Sequence, residues 1–223
     1  MNVDATALPD KLSLYYVADA EQADGDFLAL VEAALAGGVT SLQLRAKTMS
    51  GRDMYDLALR LRPLCAAASA LFFVNDRVDI ALAARADGVH VGVHDLPLDA
   101  TRRLIGPAML LGYSPLDLAD VAAAKAGGAD YVGLGPVFGT ASKADAQPPL
   151  GLVALAEQAH AAALPSVGIG GIHTVNAGSV IRAGADGVAV ISAIQRAPDP
   201  RQAAESLFLA VHRAKRDLAS QHQ

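Results

Sequence analysis

Short apolar runs rich in Val, Ile, Leu and Tyr recur near residues 12–17, 39–45, 71–75, 88–92, 109–113, 131–135, 166–169 and 187–191, each the length of a strand buried on both faces. Between them apolar residues are spaced by three and four, as in Phe27, Leu28, Val31, Ala34 and Leu35, or Leu152, Leu155, Ala156 and Ala159. That is the spacing of a helix with one buried stripe. Strand–helix alternation predicts parallel strands joined by crossovers. Eight such units in 223 residues predict an α/β fold, a single closed (β/α)8 or TIM barrel. No shift in composition marks a second domain, so residues 1–223 are expected to form one, with 1–11 as an N-terminal tail and 214–223 as a polar C-terminal end. Ser50 predicts the start of the helix after the second strand, and Pro63 predicts that this helix bends or ends near residue 62.

A sequence echo supports the same architecture. Ala86-Asp87-Gly88-Val89, Gly128-Ala129-Asp130-Tyr131-Val132 and Gly184-Ala185-Asp186-Gly187-Val188 each stand where a helix pattern gives way to a strand. In a barrel these turns lie on the N-terminal face, which serves stability, so the three aspartates are expected to be structural.

Composition agrees with a packed α/β domain and excludes disorder: 52 % of residues are hydrophobic and only 18 % charged, with 20 glycines. A formal charge of −5 supplies no basic field for nucleic acid, so an anionic ligand needs a local site. One cysteine, Cys65, forms neither an intramolecular disulfide nor a four-ligand zinc site and suits a reducing compartment. With no targeting pattern and no apolar stretch of membrane length, the expectation is a cytoplasmic protein acting on small molecules, with no nucleic-acid or membrane partner. Association into a homo-oligomer is left open.

In such a barrel, chemistry belongs to the loops that follow strand C-termini. After the second strand, a period of two sends Gln43, Arg45 and Lys47 to one side, where two cations and an amide converge on an anion. After the third strand come Asn75 and Asp76, which by type could cap the next helix. Asp95 stands on the adjoining fourth loop, and two carboxylates from neighbouring strand ends can share Mg²⁺, which lets water and substrate phosphate complete its shell. His90 and His94, four apart on an extended chain, lie about 13 Å from each other, too far to share a metal, and His90 is expected inside the barrel with a hydrogen-bond partner. Ser114 ends the fifth strand. The sixth runs into a long loop, Gly139 to Pro149, whose Thr140, Ser142 and Lys143 supply hydroxyls and a charge. The turn from Gly168 to Ile172 and the pair Ile191-Ser192 close strands seven and eight, the recurrent phosphate site of this architecture. The candidates divide into one anion site of cations and carboxylates and another of neutral backbone, which suggests two substrates: a diphosphate that leaves and a monophosphate that anchors a nucleophile. No triad and no acid–base pair is present, as expected for a displacement driven by stabilising the leaving group.

These residues together resemble the thiamine-phosphate synthase family. The resemblance runs over roughly residues 12–196 and rests on Gln43-Leu44-Arg45-Ala46-Lys47, Val74-Asn75-Asp76, Gly88-Val89-His90-Val91-Gly92 with Asp95, Gly133-Leu134-Gly135-Pro136-Val137-Phe138, Thr140-Ala141-Ser142-Lys143, the Gly168–Ile172 turn and Val190-Ile191-Ser192. It implies condensation of hydroxymethylpyrimidine diphosphate with hydroxyethylthiazole phosphate, or its carboxylated form, to thiamine phosphate and pyrophosphate. It implies Asp76 and Asp95 as Mg²⁺ ligands. Gln43, Arg45, Lys47, Asn75, Ser114 and Lys143 correspond to positions on the pyrimidine and its diphosphate, with Arg45, Lys143 and Ser114 carrying the chemistry. Thr140, Ala141, Ser142, Gly171, Ile191 and Ser192 correspond to the thiazole-phosphate side. Pyrophosphate leaves first in such enzymes, and the thiazole nitrogen captures the pyrimidine-methyl cation. Departures from the pattern are Val93 and His94 where a glutamine is usual, Gly139 for a common proline and Ser142 for a common threonine. The related thiazole tautomerases share the barrel but differ at the carboxylates and at Gly135-Pro136. That isomerase activity and a non-catalytic phosphate-binding barrel are the alternatives.

Overall fold

The strands form because their runs of β-branched, aromatic and leucine side chains find apolar partners on both faces; in Tyr131–Leu134 and Gly187–Val190, for example, every residue is buried. The structure, a computed structural model, describes residues 5–140 and 148–221. Its strands are β1 (Leu14–Asp19), β2 (Ser41–Arg45), β3 (Leu71–Asn75), β4 (Gly88–Gly92), β5 (Leu110–Ser114), β6 (Tyr131–Leu134), β7 (Ser166–Ile169) and β8 (Gly187–Val190). All pair in parallel in sequence order, and β8 returns to β1, closing the barrel. The helices are α1 (Leu8–Lys11), α2 (Phe27–Ala36), α3 (Gly51–Ala67), α4 (Val78–Ala83), α5 (Leu98–Ile105), α6 (Leu118–Ala126), α7 (Gly151–Ala162), α8 (Thr174–Arg182), α9 (Ser192–Gln195) and α10 (Pro200–Gln221). α10 packs against α8 and α2, closing the outer ring. The first strand begins two residues later than its apolar run, because Leu12 ends α1, and it extends to Asp19.

Period two divides the core into two shells. Phe72 faces the helices and Phe73 the barrel axis, where it packs with Tyr15 and Tyr131 at ring-centroid distances of 5.4 and 5.5 Å. Helix starts are fixed by capping side chains. Asp26 accepts from the backbone N–H of Leu28 (3.0 Å) and Ala29 (3.2 Å), Ser50 from Asp53, and Asp117 from Asp120. α3 does not end near residue 62; it passes through Pro63, which sits on the exposed face, where the carbonyl deprived of an N–H partner is open to water.

The repeated aspartates have one structural job. Asp87, Asp130 and Asp186 each accept the backbone N–H at the start of the preceding strand: Phe72 at 2.9 Å, Leu111 at 2.7 Å and Ser166 at 2.8 Å. Each thereby satisfies a donor at the N-terminal rim that the ladder leaves over.

Candidate active site

At the opposite rim the strand C-termini surround a cavity of about 290 Å³. Gln43, Arg45, Lys47, Asn75, Asp76, Asp95, Ser114, Thr140, Gly171, Ile191 and Ser192 all line it, as do Val93 and His94. Ala141, Ser142 and Lys143 lie outside the described residues. In a closed ring of eight strands β3 is opposite β7 and β4 opposite β8, so the carboxylates face the glycine turn and Ser192 across the cavity.

Asp76 does not cap α4; that position falls to Arg77, which makes no side-chain cap. Its backbone adopts φ +60°, a left-handed conformation that aspartate tolerates, and its N–H donates to the His90 carbonyl at 2.8 Å, which ties the β3 loop to β4. The Asp95 carboxylate accepts from the Gly92 N–H at 2.8 Å. Burial raises the Asp76 carboxyl above its usual range, the bonded Lys47 ammonium opposes that, and the Asp95 charge adds to it.

The cations are not waiting unpaired, as the strand pattern alone suggests. Arg45 is bonded to Asp19, whose side chain is fully buried, and Lys47 to Asp76. Asp19 also accepts from the Glu21 backbone N–H (3.1 Å) and from Gln22 Nε2 (3.0 Å), and Gln195 bonds its backbone on both sides. Arg45 therefore reaches the cavity with part of its five-donor fork already held. Glu21 fixes the β2 loop in turn, accepting the backbone N–H of Lys47, Thr48 and Met49 at 3.1, 2.6 and 2.7 Å. Asp19 continues the inward alternation of Tyr15 and Val17, so extending the first strand by two residues would have exposed it to sequence reasoning. Glu21 and Gln195 carry no such signal.

Gly170 and Gly171 adopt φ +98° and +62°, and an added Cβ would lie 2.5 Å from Pro136 Cβ and 2.8 Å from Phe138 Cβ, respectively. The β6 loop lies directly on this turn through Val137 N–H to Ile169 O (2.7 Å) and Phe138 N–H to Gly170 O (3.0 Å). Only glycine combines that backbone with that approach. Asn176 holds the turn from below, donating to the Gly171 carbonyl at 3.0 Å and accepting from the His173 N–H at 2.8 Å.

Beneath the cavity runs a hydrogen-bonded chain absent from any local pattern. Gln43 Nε2 bonds the Tyr15 hydroxyl (2.9 Å), which bonds the Tyr131 hydroxyl (2.8 Å); this bonds His90 Nδ1 (3.0 Å), and His90 Nε2 bonds Ser114 Oγ (2.8 Å). His90 is thus inside the barrel and hydrogen-bonded, as its position on the fourth strand predicts.

A closed parallel barrel whose charged side chains and glycine turns gather around one cavity at the C-terminal rim defines an enzyme of the (β/α)8 class. The family model for thiamine monophosphate synthase matches residues 14–194. A thiamine-phosphate synthase of Laribacter hongkongensis is 51 % identical over 198 residues, covering 88 % of this chain and 93 % of its own length. One from Roseiflexus castenholzii is 50 % identical, covering 89 % and 88 %. The solved thiamine phosphate pyrophosphorylase of Pyrococcus furiosus superimposes with a TM-score of 0.85 at 39 % identity, over 93 % of this chain and 98 % of that one. The chain belongs to the thiamine-phosphate synthase family of transferases.

Proposed function

We propose that this chain joins hydroxymethylpyrimidine diphosphate to hydroxyethylthiazole phosphate, or its carboxylated form, releasing pyrophosphate. The carbon–oxygen bond to the diphosphate breaks with its electron pair leaving on oxygen, and the thiazole nitrogen supplies the pair for the new carbon–nitrogen bond. The observation that carries the reading is the opposition, across one cavity, of the Asp76–Asp95 pair with its cations and the Gly170–Gly171 turn with Ser192.

Mg²⁺ fits the donor set. Asp76 and Asp95 offer hard carboxylate oxygens, and among the described residues no further His, Cys, Asp or Glu completes a cage with them, which suits an ion that keeps water and takes substrate phosphate. When bound, Mg²⁺ would neutralise charge on the diphosphate oxygens. Arg45, Lys47 and Lys143 hold the departing diphosphate, Gln43, Asn75 and Ser114 hold the pyrimidine, and Thr140, Ala141, Ser142, Gly171, Ile191 and Ser192 hold the thiazole phosphate. Catalysis comes from proximity of the two halves and from charge stabilisation at the leaving group, with Arg45, Lys143 and Ser114 as the catalytic residues. A cytoplasmic setting accords with a single cysteine that is buried and in no disulfide; among the described residues no helix is long and apolar enough to cross a membrane.

The test is to mix purified protein with both substrates and Mg²⁺ and follow pyrophosphate release, with and without EDTA. Release that EDTA abolishes supports the reading; conversion of a thiazole phosphate without diphosphate or metal would replace it with an isomerase.

A further inference from the structure

The buried chain from Gln43 to Ser114 takes residues from β2, β1, β6, β4 and β5, and its hydroxyls and imidazole lie within the barrel. Both tyrosine rings are fully buried and held by Phe73 and by each other, so their hydroxyls have fixed neighbours. Burial raises both hydroxyls well above the ordinary tyrosine range, so each carries one proton. Glycines make room for the line: a Cβ on Gly112 would collide with the Tyr131 ring and His90 Nδ1, and one on Gly133 would crowd His90 and Ser114 Oγ.

One proton per hydroxyl makes the direction of every bond depend on its neighbour. With Gln43 Nε2 donating to Tyr15, the Tyr15 proton goes to Tyr131 and the Tyr131 proton to His90 Nδ1. A neutral imidazole would then carry its proton on Nε2, pointing at Ser114, whose own proton is left for a ligand. Gln43 keeps its Oε1 acceptor and its second Nε2 hydrogen. If the amide turns over, every bond reverses, and Gln43 offers a donor while Ser114 offers an acceptor. Either way the orientation of the Gln43 amide sets which nitrogen of a neutral His90 ring carries the proton, and with it whether the Ser114 hydroxyl accepts from that ring or donates to it.

We propose that Tyr15, Tyr131 and His90 are positioning residues that couple Gln43 to Ser114, so that the orientation of the amide at one end sets the orientation of the hydroxyl at the other. The coupling does not depend on the function proposed above.

The coupling is tested without substrate by ¹⁵N NMR of the His90 ring. The unsubstituted protein is expected to show one neutral tautomer with Nδ1 unprotonated. Gln43→Glu presents only acceptors to Tyr15, so the chain should reverse and Nδ1 should become protonated; Tyr131→Phe in the same chain should abolish that response. Should the charged variant not fold, Tyr15→Phe, which keeps the ring packing, is expected to turn the single tautomer into a mixture. Nδ1 unchanged in Gln43→Glu, or one unaltered tautomer in Tyr15→Phe, overturns the coupling.

Discussion

Replacing Asp19 by asparagine keeps the shape of the side chain and one acceptor oxygen, and removes the charge that faces Arg45. Asp19 is fully buried and the Arg45 side chain is only 12 % exposed, so the pair is largely removed from water, with the rest of the guanidinium at the cavity. Breaking a buried ion pair on one side costs about 3–5 kcal/mol, because the surviving charge stays desolvated. At about 2–4 °C per kcal/mol for a domain of this size, the expected fall in Tm is roughly 6–20 °C. Thermal unfolding followed by circular dichroism measures that fall, and urea denaturation measures the free-energy loss, read from the midpoint at unchanged slope. Arg45→Met combined with Asp19→Leu should recover part of the loss, since no charge is then stranded. A loss below about 1 kcal/mol for Asp19→Asn, the range of solvent-exposed pairs, would show that the pair is hydrated and that the argument from burial is wrong.

Asp76→Ala or Asp95→Ala should lower turnover sharply with little rescue by excess Mg²⁺; full activity in either variant refutes their assignment to the metal. Lys143→Ala should weaken binding of the diphosphate substrate more than that of the thiazole phosphate, measured by calorimetry, and equal losses would end the division into two anion sites. Gly171→Ala forces a side chain into φ +62° and against Phe138, so the thiazole-phosphate KM should rise about tenfold or more, with a stability loss of about 1–3 kcal/mol; unchanged KM removes the turn from that subsite. Burial pushes the Cys65 thiol up to about 12, so the native protein should resist a thiol reagent at pH 8 that reacts at once after unfolding. The sign for stability follows: the unfolded thiol loses its proton from near pH 9 while the folded one keeps it, so stability falls as pH rises above that point, less steeply in Cys65→Ala.

Some elements were legible because their causes are local. The two phenylalanines at 72 and 73 mark a strand apolar on both faces, and Ser50 caps a helix by reaching only three residues along the chain. Pro63 misled, since its effect depends on whether the freed carbonyl meets water or core, which turns on how the helix docks. For the site, alternation along β2 correctly sends Gln43 and Arg45 inward but says nothing of what meets them, so the argument from unpaired cations overlooked Asp19.

The sequence by itself determined the alternation of eight strands with helices and which polar residues stand at strand ends, since periods of two and of three to four are set by backbone geometry within each segment. Only the tertiary structure decided who touches whom at the axis. Tyr15 and Tyr131 are 116 residues apart and His90 lies 41 from Tyr131, yet one line of hydrogen bonds joins them. Periodicity gives a side chain its direction; closure of the barrel, through the stagger of each strand against the next, gives it the height at which it arrives and therefore its partner.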